Sequence, residues 1–124
     1  MIEGDMMELQ LGISQNEREK LRNCTHIFHC AASVRFDDPL KDAILMNTRG
    51  TREICQLAMD MPHLKALVHV STSFIQPKTY TADEIFYPAD FEWQKFIAMA
   101  EKFDHDTMNS LMMKWATAKV ANFH

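Results

Sequence analysis

Small and hydroxyl-bearing side chains follow two short apolar stretches of the sequence. Cys30, Ala31 and Ala32 follow the stretch THIFH, and Ser71, Thr72 and Ser73 follow LKALVHV. If both stretches are parallel strands of one sheet, these residues share its carboxyl edge, where open α/β sheets bind ligands. Small residues let a flat ring or a ribose approach the backbone, and hydroxyls can hydrogen-bond a substrate oxygen. The pattern indicates a binding crevice, and a polar strand end that caps a loop is the alternative.

Asn47 is a further candidate, because it interrupts an apolar stripe that predicts a buried helix face. A buried amide costs free energy unless it is hydrogen-bonded. Gly50, one turn later, weakens a helix by about 1 kcal/mol relative to alanine. Together the two residues predict a kink with an exposed carbonyl. From the pattern alone, a core asparagine with a satisfied amide is the alternative.

Histidines, cysteines and methionines carry weaker signals. His26 and His29 stand three residues apart in a predicted strand, so their side chains face opposite ways and do not form a metal pair. We therefore expect no bound metal. The three cysteines include no Cys-x-x-Cys pair, which is typical of reduced thiols. The ten methionines are expected to fill gaps in the core, and a methionine-rich binding groove is the alternative.

Length, charge and glycine content narrow the class of protein. The 124 residues suffice for one small domain, and the net charge of -4 argues against a nucleic-acid binder. No apolar run approaches the roughly 18 residues of a membrane span, and the start shows no signal-peptide pattern. Gly4, Gly12 and Gly50 form neither GxGxxG nor GxxxxGK[ST]. Any nucleotide site in these residues therefore lacks the Gly-rich loop that would bind the phosphates.

The elements that would position these residues follow the order strand, helix, strand. Apolar runs at residues 25–31 and 64–70 predict buried parallel strands. Asp38 as N-cap and Pro39 at the first helical position predict the start of a long helix that ends before Pro62. The stripe that defines its buried face comprises Leu40, Ala43, Ile44, Asn47, Thr51, Ile54, Ala58 and Met61. This is a βαβ unit, which implies a parallel sheet.

The flanking segments predict further elements. Residues 2–5 read as the end of a strand, and Ser14 with Glu17 forms a capping box that predicts a helix over residues 15–21. Residues 73–88 are irregular. Amphipathic helices are predicted at residues 91–103 and 107–114, with a last helical segment at 115–123.

The central run VRFDDPLKDAILMNTRGTREICQLA, with FHCAA before it and LKALVHVSTSF after it, strongly resembles animal fatty acyl-CoA reductases. IEGD at the start and DEIFYP at residues 83–88 fit that family in order and spacing. The resemblance implies the extended short-chain dehydrogenase/reductase superfamily and an α/β fold. We expect an incomplete Rossmann-like doubly wound parallel sheet with a βαβ core, followed by helices. Residues 1–124 would form part of one NAD(P)-binding domain, without its N-terminal Gly-rich βαβ unit and its C-terminal part.

The resemblance also implies an activity. Fatty acyl-CoA reductases reduce a long-chain acyl-CoA to a primary alcohol with two NADPH, so these are the expected substrate and cofactor. The family's usual locations are the peroxisomal and endoplasmic reticulum membranes, facing the cytosol; the oligomeric state stays open. One alternative is a catalytically dead relative that binds a nucleotide or a partner. Another is an extended reductase of the steroid or carboxylic-acid type, against which the FYP segment and NTRGT argue.

Carried over by position, the resemblance assigns roles to several residues. Asp5 would contact the adenine end of the cofactor. Residues 30–32 (Cys30, Ala31 and Ala32) and Ser71 would line the nucleotide. Asn47 matches the helix asparagine whose backbone holds a water next to the catalytic lysine. Thr72 best matches the hydroxyl that hydrogen-bonds the substrate carbonyl, with Ser71 and Ser73 as less favoured candidates.

The superfamily's catalytic pair is Tyr-x-x-x-Lys on a helix, in which the lysine lowers the tyrosine pKa. Lys119 fits the lysine, but Trp115 stands four residues earlier, and an indole N–H cannot act as the acid. Neither Tyr80 nor Tyr87 is followed four residues later by a lysine. Either Trp115 replaces the tyrosine, or Lys119 is a chance match and the motif lies beyond the chain end. We therefore expect that these residues alone do not turn over acyl-CoA.

Overall fold

The computed structural model describes residues 1–72, 81, 83–85 and 92–121, and the side chains as far as residue 114. A short turn, Leu9–Gly12, precedes α1 (Gln15–Leu21) and strand β1 (His26–His29). One long helix follows in three consecutive parts: α2 (Leu40–Ala43), a π-helical segment (Ile44–Arg49) and α3 (Gly50–Met59). The remaining elements are β2 (Ala66–His69), α4 (Trp93–Lys102) and α5 (His105–Ala121).

The two strands pair in parallel, as the sequence predicts. The register sets His26 against Ala66 and His29 against His69. Beyond the last pair, Val70 N donates to His29 O over 2.9 Å, which keeps the chains together as they leave the sheet. Because the long helix lies between the strands, the unit is βαβ, as in Rossmann-like folds.

Residues 2–5 do not form a strand, contrary to the prediction. Their backbone instead closes a local loop, in which Asp5 N donates to Leu11 O over 2.8 Å. The backbone of Gln10 and Leu11 lies in the left-handed region, with φ of 55° and 61°. Such angles cost a non-glycine residue about 1 kcal/mol or more. The loop is held against the long helix by Glu53, whose carboxylate accepts from Gln10 N at 2.8 Å.

Helix α1 has the predicted bounds and the predicted cap. Ser14 is its N-cap, and its hydroxyl accepts from Glu17 N at 3.4 Å. The same hydroxyl donates to the Glu17 carboxylate at 2.9 Å. The long helix differs at its start, because Pro39 rather than Asp38 is the N-cap residue. The Asp38 carboxylate instead accepts a hydrogen bond from the Ser33 hydroxyl.

The π-helical segment changes which face of the long helix is buried. A π turn holds one residue more than an α turn, so every later side chain is rotated relative to a continuous α-helix. Asn47 is consequently exposed, contrary to the prediction of a buried position, and Thr51 and Ile54 are only half-buried. The residues that are buried along this helix are Ile44, Leu45, Arg49, Gly50, Glu53 and Leu57, followed by Met61 after its end.

Two apolar clusters lie against the long helix. The first joins its N-terminal half to α4 and α5, through Ile44, Leu45, Ile97, Ala100 and Met108. The second joins its C-terminal half to the chain start and β1, around Leu11, Leu57 and Met61. Buried methionines in both clusters confirm the expected core role of some methionines.

Helices α4 and α5 cover the N-terminal half of the long helix. The predicted helix at 91–103 is observed as α4. The segment predicted at 107–114 and the described part of the one predicted at 115–123 form one continuous helix, α5. Asp104 precedes α5 and accepts from Thr107 N at 2.7 Å, and this bond holds the pKa of the carboxyl below its usual value. Ser73, Tyr80 and Tyr87 lie outside the described residues.

Two further observations concern the described residues alone. None of their helices combines the length and apolarity needed to cross a bilayer. They include no cluster of three or more His, Cys, Asp or Glu side chains arranged to hold a metal ion.

Candidate functional site

The carboxyl ends of the two strands lie side by side. Residues 30–32 follow β1 directly, and residues 71–72 follow Val70, whose amide still bonds to β1. All five residues are exposed. The small residues 30–32 and the described hydroxyls, those of Ser71 and Thr72, therefore follow strand ends at one edge of the sheet, as expected.

A histidine pair lies at the end of the two strands. The rings of His29 and His69 are 4.8 Å apart between centroids and tilted by 30°. His29 is only 3% exposed, whereas His69 is exposed. Burial, and then the neighbouring charge of His69, lower the pKa of His29 below its ordinary value of 6.5. The structure thus favours a neutral His29 at physiological pH.

Thr51 connects His29 to the π-helical segment. Its hydroxyl lies 3.1 Å from His29 Nε2 and donates to Asn47 O over 2.7 Å. Because the single hydroxyl proton is directed at Asn47, the neutral ring of His29 fits with its proton on Nε2, donating to Thr51. The backbone carbonyl of Asn47, which the sequence predicts to be exposed, thus accepts one hydrogen bond from Thr51.

The Asn47 side chain holds the chain that follows β1. Its Oδ1 accepts from Ser33 N at 2.8 Å, and its Nδ2 donates to Ser33 O over 3.0 Å. The amide is satisfied, as the alternative interpretation of this residue requires, but at the surface rather than in the core. Asn47 therefore fixes the position of the loop beside the small-residue strand end.

A crevice of about 580 Å³ opens between the long helix, the end of β2 and the start of α4. We refer to it as the Asn47 crevice, and its lining residues are Asn47, Thr48, Thr51, Arg52, Cys55, Gln56, Met59, His69 and Trp93. Amide and hydroxyl groups provide hydrogen-bond partners, and Met59 and Trp93 provide apolar surface. Residues 30–32 and 71–72 do not line it. Of the last residues of the two strands, His69 lines it, and His29 contacts the lining residues Thr51 and His69.

The composition of this crevice suits the nicotinamide and ribose of the expected cofactor better than its pyrophosphate. Arg52 is the one lysine or arginine among the lining residues, and it lies 2.6 Å from the Glu53 carboxylate. A cation engaged in this way is poorly available for a phosphate. The uncharged amides and hydroxyls, by contrast, match a carboxamide and a sugar.

Two predicted site residues lie apart from this crevice. Asp5 lines a smaller depression of about 290 Å³ near the chain start, and its Oδ1 accepts from Met7 N at 2.8 Å. Lys119 is on α5, one turn after Trp115, but the side chains of both lie outside the described residues. The roles predicted for Asp5 and Lys119 stay predictions.

Three residues of the site escaped the sequence interpretation: His69, Thr51 as a hydrogen-bonding group, and Trp93. A signal for the histidines exists, since HIFH and ALVH both end in histidine and pair in register. Trp93 carries no comparable signal, because its position depends on how α4 packs on the π-helical segment.

Comparison with known proteins gives consistent results. A family profile for NAD-binding domains, described as "Male sterility protein", matches residues 1–121. The chain is 42% identical over 112 residues to fatty acyl-CoA reductase wat of Drosophila melanogaster, covering 90% of this chain and 22% of the relative. It is 36% identical over 114 residues to human (Homo sapiens) fatty acyl-CoA reductase 2, covering 91% of this chain and 22% of the relative. No solved structure matches. The chain thus spans about a fifth of the length of these relatives.

Proposed function

Since the chain belongs to the Male sterility protein family of NAD-binding domains, we propose that it forms part of an NADPH-dependent fatty acyl-CoA reductase. The family binds a nicotinamide nucleotide in a Rossmann-like fold. The choice of NADPH over NADH, the long-chain acyl-CoA substrate and the fatty alcohol product belong to the proposal. So does the extent of the domain, which we take to include all 124 residues.

The observation that carries the proposal is the parallel register of β1 and β2 beside the Asn47 crevice. It aligns the carboxyl ends of two strands, where open α/β sheets bind nucleotides. The chain of contacts from His69 through His29 and Thr51 to Asn47 ties this edge to the long helix. A nicotinamide ring in the crevice would therefore contact side chains whose positions these contacts fix.

The reaction would convert an acyl thioester, two NADPH and two protons into a primary alcohol, free coenzyme A and two NADP⁺. When bound, NADPH supplies the hydride for each step. Thr72 would donate a hydrogen bond to the substrate carbonyl oxygen, on which negative charge develops. Asn47 would hold the loop beside residues 30–32. Lys119 would take the position of the lysine of the Tyr-x-x-x-Lys pair, although Trp115 stands where the pair has its tyrosine. Asp5 would contact the adenine end.

We further propose that these 124 residues alone do not catalyse the reaction. They contain no Gly-rich phosphate-binding turn and no tyrosine four residues before a lysine. Without the turn, binding of the pyrophosphate loses its backbone N–H donors. Without the phenol of that tyrosine, the developing alkoxide lacks the proton donor of the Tyr-x-x-x-Lys pair. A catalytically dead relative that binds a nucleotide or a partner is the alternative.

Saturation-transfer NMR with the purified chain tests the binding part. We expect the nicotinamide protons of NADPH to receive saturation, and those of NADH to receive less. In the same samples, absorbance at the NADPH band should not fall when palmitoyl-CoA is added. Failure to bind NADPH would contradict the proposal, and so would acyl-CoA-dependent oxidation of NADPH. Binding of NADPH without binding of palmitoyl-CoA would favour the dead relative.

We also propose that the protein lies at the cytosolic face of the peroxisomal or endoplasmic reticulum membrane, which the resemblance suggests. Fluorescence imaging of the tagged protein beside markers of both organelles tests this location. A signal that coincides with neither marker would contradict it.

A further inference from the structure

A second pocket, of about 430 Å³, lies between the start of α2 and helices α4 and α5. Six of its lining residues are apolar: Leu40, Phe96, Met99, Met108, Leu111 and Met112. The remaining one is Lys114. Met108 is 1% exposed and belongs to the core, whereas Leu111 and Met112 are 37% and 39% exposed. The pocket thus runs from the protein interior to the surface along α5.

The position of this pocket relates it to the proposed nucleotide site. Leu40 is the first residue of α2, which follows the chain leaving β1 at the carboxyl edge of the sheet. On α4, Phe96 of the pocket stands three residues after Trp93 of the Asn47 crevice. Residues three apart lie on the same side of a helix, within one turn. One face of α4 therefore contributes to both cavities.

The lining chemistry matches a flexible hydrocarbon chain. Among the described side chains that line the pocket, only Lys114 can form hydrogen bonds, so a polar ligand would lose its hydrogen bonds to water without replacement from them. Three methionines line it, and methionine adapts its shape to ligands of different lengths. Lys114 is exposed near its outer end, where a cation would attract an anionic head group. Apolar interior and basic rim together are complementary to an acyl chain joined to a negatively charged carrier.

We propose that this pocket binds the distal part of the fatty acyl chain of a long-chain acyl-CoA. The proposal rests on the function proposed above and adds the place where the chain is held. The thioester would lie toward the Asn47 crevice, and the hydrocarbon tail would pass along α4 to Met108. The methionine-rich groove that the sequence leaves as an alternative is then realised at this one place, while other methionines fill the core.

The test compares how the chain binds palmitoyl-CoA, octanoyl-CoA and free coenzyme A, each below the concentration at which it forms micelles. If the tail is buried, each methylene should strengthen binding by up to about fourfold. Met112→Phe fills the pocket from its rim, and Leu111→Gln makes the rim polar at similar volume. Both should reduce the preference for palmitoyl-CoA over octanoyl-CoA by about tenfold or more, and leave the affinity for free coenzyme A unchanged.

Met113→Phe is the matched control, because Met113 neighbours Met112 on the same helix, is 69% exposed and does not line the pocket. It should retain the full preference for the longer chain, and circular dichroism should show the same helix content in all variants. The proposal is overturned if neither pocket variant changes the preference, or if Met113→Phe reduces it equally. Titration with NADPH separates the two proposals. Intact NADPH binding without a chain-length preference overturns the pocket alone, whereas loss of NADPH binding in the unmodified chain overturns the proposed function.

Discussion

His29 Nε2 and Thr51 Oγ1 lie 3.1 Å apart, and this contact joins the end of β1 to the first turn of α3. Thr51 in turn donates to the carbonyl of Asn47, inside the π-helical segment. A strand end and an irregular helical turn are thereby held in one geometry by a single hydroxyl. The site proposed for the nicotinamide borders this connection.

The pH dependence of folding should report the burial of His29. Because burial, and then the charge of His69, lower its pKa, the folded state binds this proton less tightly than the unfolded state does. The contribution of His29 to the unfolding free energy is therefore constant above the ordinary value of 6.5 and falls as pH drops from there through the lowered pKa. Urea unfolding between pH 5 and pH 8 measures this slope. His29→Gln should flatten it, and His26→Gln, at an exposed position, should not.

Replacing Asn47 should loosen the loop after β1. Asn47→Ala removes both hydrogen bonds to the Ser33 backbone, which should cost about 1 kcal/mol and speed exchange of the Ser33 amide hydrogen. Asn47→Asp keeps the acceptor for Ser33 N and should restore part of the protection. Hydrogen exchange followed by NMR measures both effects. Unchanged protection of Ser33 in Asn47→Ala would show that the two hydrogen bonds between Asn47 and Ser33 are not formed.

Gly50 should resist replacement despite its place inside a helix. Alanine would gain about 1 kcal/mol in helix propensity. However, a Cβ at Gly50 would lie 2.5 Å from Met6 Cε and 2.9 Å from the Met6 carbonyl oxygen, so the chain start must move. We expect Gly50→Ala to destabilise the fold by about 1–3 kcal/mol in urea unfolding. Adding Met6→Ala should recover only part of the loss, because the backbone carbonyl remains. A more stable Gly50→Ala would contradict the close approach.

The left-handed turn before α1 offers a stabilising substitution. Gln10 has φ of 55°, which glycine adopts without strain. Gln10→Gly should therefore stabilise the chain by roughly 0.5–1 kcal/mol. The same exchange in a regular helix, Gln56→Gly in α3, should destabilise it by about 1 kcal/mol. Thermal unfolding of both variants gives the comparison, and destabilisation in both would mean that the turn is not left-handed.

The sequence predicts the elements where local signals dominate. Ser14 with Glu17 predicts α1 with its bounds, and the two apolar runs predict the parallel strands, because capping and short-range apolar patterns act within a few residues. The predicted stripe is confirmed at Ile44 and Met61 but is wrong at Asn47, because a π turn rotates the side chains after Ile44 and no residue pattern indicates such a turn.

Other errors have a tertiary origin. Residues 2–5 look like a strand end, yet Asp5 bonds to Leu11 in a local loop. The effect of Gly50 is close packing against Met6 rather than a kink, since its φ and ψ of -57° and -42° are helical. The Asp38 side chain accepts a hydrogen bond from Ser33 instead of capping the long helix. Each of these contacts depends on a partner that the residue's own neighbours do not reveal.

The most direct test of the central claim is an NMR titration of the isotope-labelled chain with NADPH, following backbone amides. We expect saturable shifts at Asn47, His69 and Trp93, with little change at Arg22, which lines a separate depression between α1 and the end of the long helix. Shifts that leave Asn47 and Trp93 unmoved at saturation would contradict the proposed nicotinamide site.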